Sequence, residues 1–473
     1  MNIAVIGFGA TGVSFFINLI HTINTDITKN FKQYKITIIS RKHDFIGGIA
    51  FNSNNKEHIV NTPAYLMSCY ENDSLHFVKW LKTKDIYTLF PPRHIFKEYL
   101  QEQFLIFLKK AKAIGIIINI IDDFATSLYK KDNSFYIGLK NNKTIIAKKV
   151  IYSAGHYQQS NILNNSIAFN TNIDVNTLLN KDNSVGILGS GLTTIDAVLS
   201  LQHINKISSI NIFSRNGLLP SINLKDPKID ISVYKYFNKE NISSAIKQNT
   251  FSFFTMLKLI YKELTHYNEH ELKIAKKYFY TQDMINFYYE IIQLSEKNIL
   301  PLNQILSSSR YYFKDLWQEM NLKQKLVFLD FARYFNIFRN TIPLENAKKI
   351  LLLLQQKKLY IFKISNIVEN NNQIEIMCNN NVYIYPNIIT TYQDSFNILK
   401  KKSVLNESML QNNLIELDDL GGIKVNKTYE SHENLYILGD LLKSSFYVTN
   451  SFWFNSMVAK DIAQNIIARD NQQ

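Results

Sequence analysis

The chain opens on a short apolar run, Asn2–Ile6, followed by Gly7, Gly9 and Gly12 in the order GFGATG. Val13, Phe16, Ile17 and Ile20 then fall at helical spacing. Few patterns constrain a fold more. An unbroken apolar run suits a strand buried on both faces, as in a parallel sheet covered by helices. Gly7 permits a sharp turn, Gly9 lets the backbone approach a pyrophosphate, and Gly12 allows the helix to pack closely on the strand. The free N–H groups at the helix start favour negative charge. Strand, glycine turn and helix together predict a dinucleotide-binding unit, with Gly7, Gly9, Ala10, Thr11 and Gly12 at the phosphates.

The next apolar run, Lys35–Ile39, predicts the second strand. An Asp or Glu is expected just beyond it, to accept hydrogen bonds from an adenosine ribose. Ser40 and Arg41 stand there, with Lys42 after them. A Ser–Arg pair suits a 2′-phosphate and therefore NADP. The alternative is FAD, its ribose held by Ser40 or by another group.

The pattern recurs. Ser184–Leu188 is a second buried run, and Gly189, Ser190, Gly191, Leu192, Thr193, Thr194, Ile195 and Asp196 follow it. Thr194 replaces the third glycine, which predicts a looser turn. The following strand, 210–213, ends in Ser214 and Arg215, again without an acid. Gly189, Ser190, Gly191, Thr193, Thr194, Asp196, Ser214 and Arg215 are the candidate binding residues of this second unit.

The two halves match beyond their loops. After the first unit come a strand over 115–121, a polar meander over 126–148, and a strand at Val150–Tyr152 leading to Ser153, Ala154, Gly155 and His156. After the second come Leu359–Lys363, a meander over 367–385 and a strand over 388–391. Such self-similarity predicts an internal duplication. It departs at Tyr392 and Gln393, which replace the glycine turn at Ala154 and Gly155. Near the end, 434–439 reads as a buried strand closing in Gly439 and Asp440, before a helical pattern over 453–468. An acidic strand end beside the first glycine loop suits a polyol chain; the plainer reading is a turn capped by the Asp.

With 473 residues, 46% hydrophobic and 19% charged, the chain suits two or three packed domains. The expected architecture is α/β: two Rossmann-like dinucleotide-binding domains with β-meander insertions, plus a helical subdomain. The expected boundaries are 1–170 with 395–473 for an FAD domain, 171–221 with 348–394 for an NAD(P) domain, and 222–347 for the helical insert.

The net charge is +14. The lysines are scattered, with short clusters such as Lys400, Lys401 and Lys402, and form no basic stripe of the kind that tracks nucleic acid. Cys69 and Cys378 lie far apart, outside the spacing of a redox dithiol or a cysteine zinc site. His266 and His270 are four apart, but Tyr267 stands where a zinc hydrolase motif needs Glu. No apolar run is long enough to span a bilayer, and no basic region precedes the first one. A cytoplasmic protein with no metal, nucleic-acid or membrane partner is expected; oligomeric state is not legible.

In order along the chain, several blocks resemble a bacterial FAD/NAD(P)-binding protein family distantly similar to flavin-dependent N-hydroxylating and Baeyer–Villiger monooxygenases. They are GFGATG at 7–12, GGIAF at 47–51, HIVNTPAYLMS at 58–68, PRHIFKEYL at 92–100, GSGLTTID at 189–196, SRNGLLP at 214–220, and Trp317, Arg339 and Pro343. The resemblance implies FAD on the first loop and NADPH or NADH on the second. It also implies that Gly48, Asn61, Met67, Ser68 and Arg93 lie near the flavin, although Asn61 and Arg93 equally suit residues that tie a loop down. The fingerprint FxGxxxHxxxW of Baeyer–Villiger enzymes is missing.

The stretch 222–347 carries helical periodicity, for example over 251–267, 271–279 and 322–335. It is dense in aromatics, including Tyr278, Phe279, Tyr280, Phe287, Tyr288, Tyr289, Tyr311, Tyr312, Phe313 and Trp317. These form either a helical core or a lid that shapes a substrate pocket. The resemblance implies an NAD(P)H-using flavin monooxygenase, acting on a small molecule and dioxygen through a flavin C4a-hydroperoxide, with no catalytic side chain legible. A flavin reductase without oxygen insertion and a non-catalytic flavoprotein are the alternatives.

Overall fold

A computed structural model describes residues 2–25, 34–155, 163–169, 174–227, 234–267, 283–370, 373–391, 396–401 and 403–472. His156, His270, the pattern at 271–279, Tyr278, Phe279, Tyr280, Tyr392, Gln393 and Lys402 lie outside them. The chain divides into two compact units, Met1–Ser160 with Ser395–Gln473, and Asn161–Asp394.

The first unit is built on strands β1 (Asn2–Ile6), β2 (Lys35–Ile39), β3 (Ile117–Ile121), β7 (Lys149–Tyr152), β16 (Glu430–His432) and β17 (Leu435–Ile437), in spatial order β16-β17-β7-β1-β2-β3. All pair in parallel except β16 with β17. A three-stranded antiparallel meander, β4 (Ala125–Lys131), β5 (Ser134–Leu139) and β6 (Thr144–Ala147), is inserted between β3 and β7. Ile6 pairs with both Ile39 and Tyr152, and Tyr152 with Ile437. Gly7, Ser40, Ser153 and Leu438, which follow those residues, therefore emerge at one edge of the sheet. That edge is where open parallel sheets bind ligands.

Helix α1 (Ala10–Thr25) covers the sheet with a nearly continuous buried face, Gly12 through Ile20. The C-terminal helix, Phe452–Gln472, packs along it, and Ser14 Oγ donates to Ser456 Oγ at 3.1 Å. Glu430 in β16 fixes the far end of that helix. Its carboxylate accepts from Arg469 Nη1 at 2.7 Å and Nη2 at 3.0 Å, and from the Asn434 N–H at 3.0 Å. Burial alone would raise the Glu430 pKa, but Arg469, Asn426, Asn434 and Thr428 outweigh it and hold it at about 2, against 4.5 ordinarily. A carboxyl lowered in the folded state stabilises fully above its unfolded pKa and loses that contribution as pH falls through the folded one. Between pH 4.5 and 2 the wild type is therefore expected to lose on the order of 2–3 kcal/mol that Glu430→Gln does not lose. Denaturant unfolding of both proteins across that window checks this.

The second unit repeats the plan. Strands β9 (Ser184–Leu188), β10 (Ser209–Ser214), β11 (Leu359–Lys363), β15 (Ile388–Thr390) and β8 (Ser166–Ala168) form a parallel sheet in the order β11-β10-β9-β15-β8. The meander β12 (Asn366–Asn370), β13 (Gln373–Cys378) and β14 (Asn381–Tyr385) sits between β11 and β15. The neighbours β7-β1-β2-β3 of one unit thus correspond to β15-β9-β10-β11 of the other, as the duplicated sequence pattern predicts. The differences lie outboard of β7 and β15. The expected strand over 434–439 is only Leu435–Ile437, and its last residues turn into Gly439–Leu442. The three-residue strands β8 and β16 carry too short a pattern to be seen in sequence.

Between β10 and β11 the chain forms helices, among them Phe253–Tyr267, Met284–Glu296 and Leu322–Arg339. Trp317, Phe328, Phe331, Phe335 and Phe313 pack ring against ring inside this insert. These aromatics form a helical core. Among the described residues no helix is long and apolar enough to cross a membrane, and no group of three His, Cys, Asp or Glu stands ready for a metal ion.

Candidate functional site

The first glycine loop is closed by the strands on either side of β1. The Gly7 N–H donates to Ile39 O at 2.9 Å, and Ser153 Oγ donates to Gly7 O at 2.7 Å. Gly7 has φ +87°, and a β-carbon there would stand 2.5 Å from the Ala154 Cα. At Gly12 a β-carbon would stand 2.6 Å from Gly7 O and 3.2 Å from Ser153 Oγ. The loop therefore has no space for a side chain at either position. Val13 N–H to Gly9 O, 3.0 Å, is the first helical bond, so the N–H groups before it are left for a ligand.

Gly9 and Gly48 approach each other backbone to backbone. A β-carbon on Gly9 would lie 3.3 Å from the Gly48 Cα. The 45–48 segment is held there by Ile46 N–H to Phe8 O at 2.6 Å and by stacking of Phe45 on Phe8 at 5.2 Å. Gly439 closes the third side, since a β-carbon on it would meet the Thr11 side chain at 3.7 Å. Asp440 beside it is buried and accepts from Thr449 Oγ1 at 3.4 Å. Bare backbone on three sides of a helix N-terminus is a cradle that side chains would fill, and it fits a pyrophosphate.

Ser40 is buried, its Oγ 3.4 Å from Arg41 O, while Arg41 is exposed and paired with Asp44. Asn61, Met67 and Ser68 lie in the 58–68 block of this unit, and Arg93 starts the helix Arg93–Ala113. Arg93 donates its N–H to His58 O at 2.8 Å and its Nε to Ile59 O at 3.3 Å, tying the 58–68 block to the helix Arg93–Ala113. Ser68 Oγ donates to Tyr70 O at 2.9 Å and accepts from Tyr70 N–H at 3.0 Å, and Met67 is buried. Phe96, one turn into the Arg93 helix, contacts Phe51 at 4.7 Å and Phe452 at 4.9 Å. Phe96 thereby links the helix Arg93–Ala113 to the GGIAF block and to the start of the C-terminal helix.

In the second unit, Gly189 N–H donates to Phe213 O at 2.8 Å, the counterpart of Gly7 to Ile39. The expected looser turn at Thr194 is instead a locked one. Thr194 Oγ1 hydrogen-bonds Thr391 Oγ1 at 2.6 Å, and Thr391 Oγ1 donates to Leu188 O at 3.2 Å. Thr391 follows β15 as Ser153 follows β7, so a hydroxyl pair replaces the close glycine contact. Gly191 is exposed, and a β-carbon on it would meet nothing within 4 Å. Ser190 and Thr193 are half-exposed beside it, whereas Asp196 is buried in the helix Leu192–Leu201.

Ser214 Oγ accepts from Gly217 N–H at 3.0 Å. Arg215 is exposed and has no side-chain partner among the described residues. Lys363, register partner of Ser214, is exposed at the same sheet edge. Sequence reasoning missed Ser153, Thr391, Asp44 and Thr449. The first two were marked only by a hydroxyl residue after each returning strand.

Cys69 and Cys378 are both buried, one in each unit. Burial raises the Cys69 thiol to about 12 even though Tyr99 bonds to it. A thiol so raised is a poor nucleophile.

Residues 4–157 match the FAD-NAD(P)-binding family. Comparison with curated proteins finds no sequence match. Three solved structures share the fold along nearly the whole chain. L-lysine 6-monooxygenase from Pseudomonas syringae has a TM-score of 0.56 at 12% identity, with 99% of each chain covered. Ornithine hydroxylase from Pseudomonas aeruginosa gives 0.53 at 11%, with 98% of each covered. Ornithine N-hydroxylase from Kutzneria sp. 744, solved with reduced FAD, NADP+ and L-ornithine, gives 0.52 at 11%, with 99% of each covered. The chain thus carries an FAD-NAD(P)-binding domain over residues 4–157, within the two-dinucleotide-domain fold of the N-hydroxylating flavin monooxygenases.

Proposed function

We propose that this chain is an FAD-dependent, NAD(P)H-using monooxygenase that hydroxylates a small molecule. The observation that carries the reading is the pair of glycine loops, each on its own duplicated sheet, with an arginine after the second strand that is paired with Asp44 in the first unit and has no side-chain partner among the described residues in the second. FAD, when bound, takes two electrons from NAD(P)H and passes them to dioxygen, one oxygen atom entering the product and the other leaving as water.

The chain's own residues bind and orient. Gly7, Gly9, Ala10, Thr11, Gly12 and Gly48 hold the FAD pyrophosphate, with Gly439 and Asp440 on its polyol side. Asn61, Met67, Ser68 and Arg93 form the group toward the flavin. Gly189, Ser190, Gly191, Thr193 and Thr194 hold the second dinucleotide, and Ser214 and Arg215 stand at its ribose. An exposed Arg215 with no side-chain partner among the described residues suits a 2′-phosphate, which makes NADPH the cofactor. No side chain is assigned to proton transfer, because the cofactors carry the chemistry in this reaction class and the protein supplies orientation and exclusion of water.

Two substitutions separate binding from folding. Arg215→Ala is expected to raise KM for NADPH about 10- to 100-fold, the worth of a charge-assisted contact, and to leave NADH unchanged. Steady-state kinetics with both cofactors checks this. Gly191→Ala introduces no clash, so its folding cost is only about 0.5–1 kcal/mol for a poorer helix cap. NADPH affinity is nevertheless expected to fall about tenfold, because the added methyl keeps the backbone off the phosphates. Thermal unfolding beside NADPH titration separates the two effects.

The reaction itself is tested by NADPH oxidation over a panel of amines, amino acids and purines, with oxygenated product measured by mass. Product formed in proportion to NADPH supports hydroxylation. Dye reduction with no oxygenated product from any of them contradicts it and favours a reductase.

A further inference from the structure

The two sheet edges differ in how their arginines are held. Beyond β2, Arg41 Nε donates to Asp44 Oδ2 at 2.7 Å, and Nη2 stands 2.5 Å from the same oxygen. The Asp44 N–H returns to Arg41 O at 2.9 Å and closes the short turn Lys42–Asp44. The Asp44 side chain is 20% exposed and that of Arg41 61%, so the carboxylate is the inner partner and the guanidinium the outer one.

This turn is pinned at both ends. Lys42 N–H donates to Asp122 Oδ1 at 2.7 Å, just past β3. Ile46 N–H donates to Phe8 O at 2.6 Å, inside the glycine loop. Ile46 is held at φ +68°, which a β-branched residue adopts only when its surroundings dictate it. Asp44 therefore cannot drift from the loop without breaking these bonds. Asp44 Oδ1 also stands 3.2 Å from His43 Nδ1, so Arg41 and His43 are the side chains that the carboxylate holds. At the corresponding edge of the second unit, Arg215 and Lys363 are exposed, and neither has a carboxylate partner among the described residues.

We propose that Asp44 is the acid that selects an adenosine with a free 2′-hydroxyl at the first loop, and that the Arg41–Asp44 pair excludes a 2′-phosphate there. This rests on the reading that the first loop takes FAD. A carboxylate accepts a hydrogen bond from a ribose hydroxyl and repels a phosphate. An ion pair with an exposed guanidinium is weak in itself. The discrimination comes instead from a negative charge that the pinned turn keeps beside the loop, and from an arginine already engaged. The sequence position that promised a 2′-phosphate site thus becomes its opposite once the turn folds back.

The test uses the full chain stripped of flavin and reloaded with FAD. Two probes that differ only by a 2′-phosphate, 5′-AMP and adenosine 2′,5′-bisphosphate, compete against FAD, and displacement is followed by flavin fluorescence. Ligand bound to the second unit does not displace FAD and so does not register. In the wild type, 5′-AMP is expected to compete about tenfold better than the bisphosphate. Asp44→Asn should bring the two probes within about twofold, or reverse their order, while weakening FAD. Arg41→Ala keeps the acid and should keep or sharpen the wild-type preference.

A wild type displaced equally by both probes overturns the proposal without any variant, as does an Asp44→Asn protein that binds FAD with the wild-type ratio. A wild type that takes up no FAD at all contradicts the underlying reading of the first loop instead.

Discussion

Gly12→Ala is expected to yield protein that carries no flavin. The added methyl would sit 2.6 Å from the Gly7 carbonyl oxygen and 3.2 Å from Ser153 Oγ. Neither neighbour can step aside. Gly7 is held by its bond to Ile39, and Ser153 by its bond to Gly7. The start of α1 must then move outward, at an overpacking cost of about 1–3 kcal/mol. Such a shift displaces the N–H groups proposed to hold the pyrophosphate, and misplacing preorganised donors costs far more in binding than in folding. Flavin absorbance per chain and thermal unfolding measure the two consequences. Full flavin occupancy in Gly12→Ala would contradict this account of the loop. The second unit supplies an internal control, since Thr194 occupies the equivalent position and its hydroxyl is bonded to Thr391.

The other large effect is expected far from either loop. Glu263 in the helix Phe253–Tyr267 is wholly buried. Its carboxylate accepts the backbone N–H groups of Lys235 at 3.2 Å, Tyr236 at 2.5 Å and Phe237 at 2.7 Å. It thus caps the chain as it enters the helix that starts at Lys239. Glu263→Ala removes the acceptor from three N–H groups at once and leaves a cavity. The expected loss is about 3–5 kcal/mol, as for breaking a buried charged network. Glu263→Gln keeps the shape and one acceptor oxygen and should cost about 1–2 kcal/mol. Urea unfolding of both variants decides. Equal, small losses would mean that these N–H groups find other partners.

The parts of the fold legible in sequence are those where one residue pattern has one physical solution. Asn2–Ile6, Lys35–Ile39 and Ser184–Leu188 were readable because strands covered on both faces are nearly continuously apolar, whereas the edge strand Leu359–Lys363, buried only at Leu359, was readable from its apolar run and its place in the repeat. The duplication was readable because it repeats strand, meander and returning strand in the same order. Three-residue strands such as Ser166–Ala168 have no period to read. The expected strand over 434–439 was too long because Leu438 is buried for a different reason: it caps the short helix Gly439–Leu442.

The candidate site was legible where glycine sterics decide and illegible where side chains meet across the sheet. Gly7, Gly9 and Gly12 carry their meaning in their spacing. Ser153 and Thr391 acquire theirs only when β7 and β15 return beside β1 and β9. Thr194 seemed a defect in sequence and is a bonded element of the turn. Asp44 lies beyond the place where an acid is expected, and only the folded turn brings it back to Arg41.

On the proposed reading, one chain binds FAD on its first unit and is reduced through a second dinucleotide on the other. The most direct test is the visible spectrum of the purified 473-residue chain, before and after NADPH is added without oxygen. A flavin spectrum at one FAD per chain that bleaches on NADPH, and recovers when air is admitted, is the predicted result. A protein that takes up no FAD, or a bound flavin that neither NADPH nor NADH bleaches, would contradict the claim.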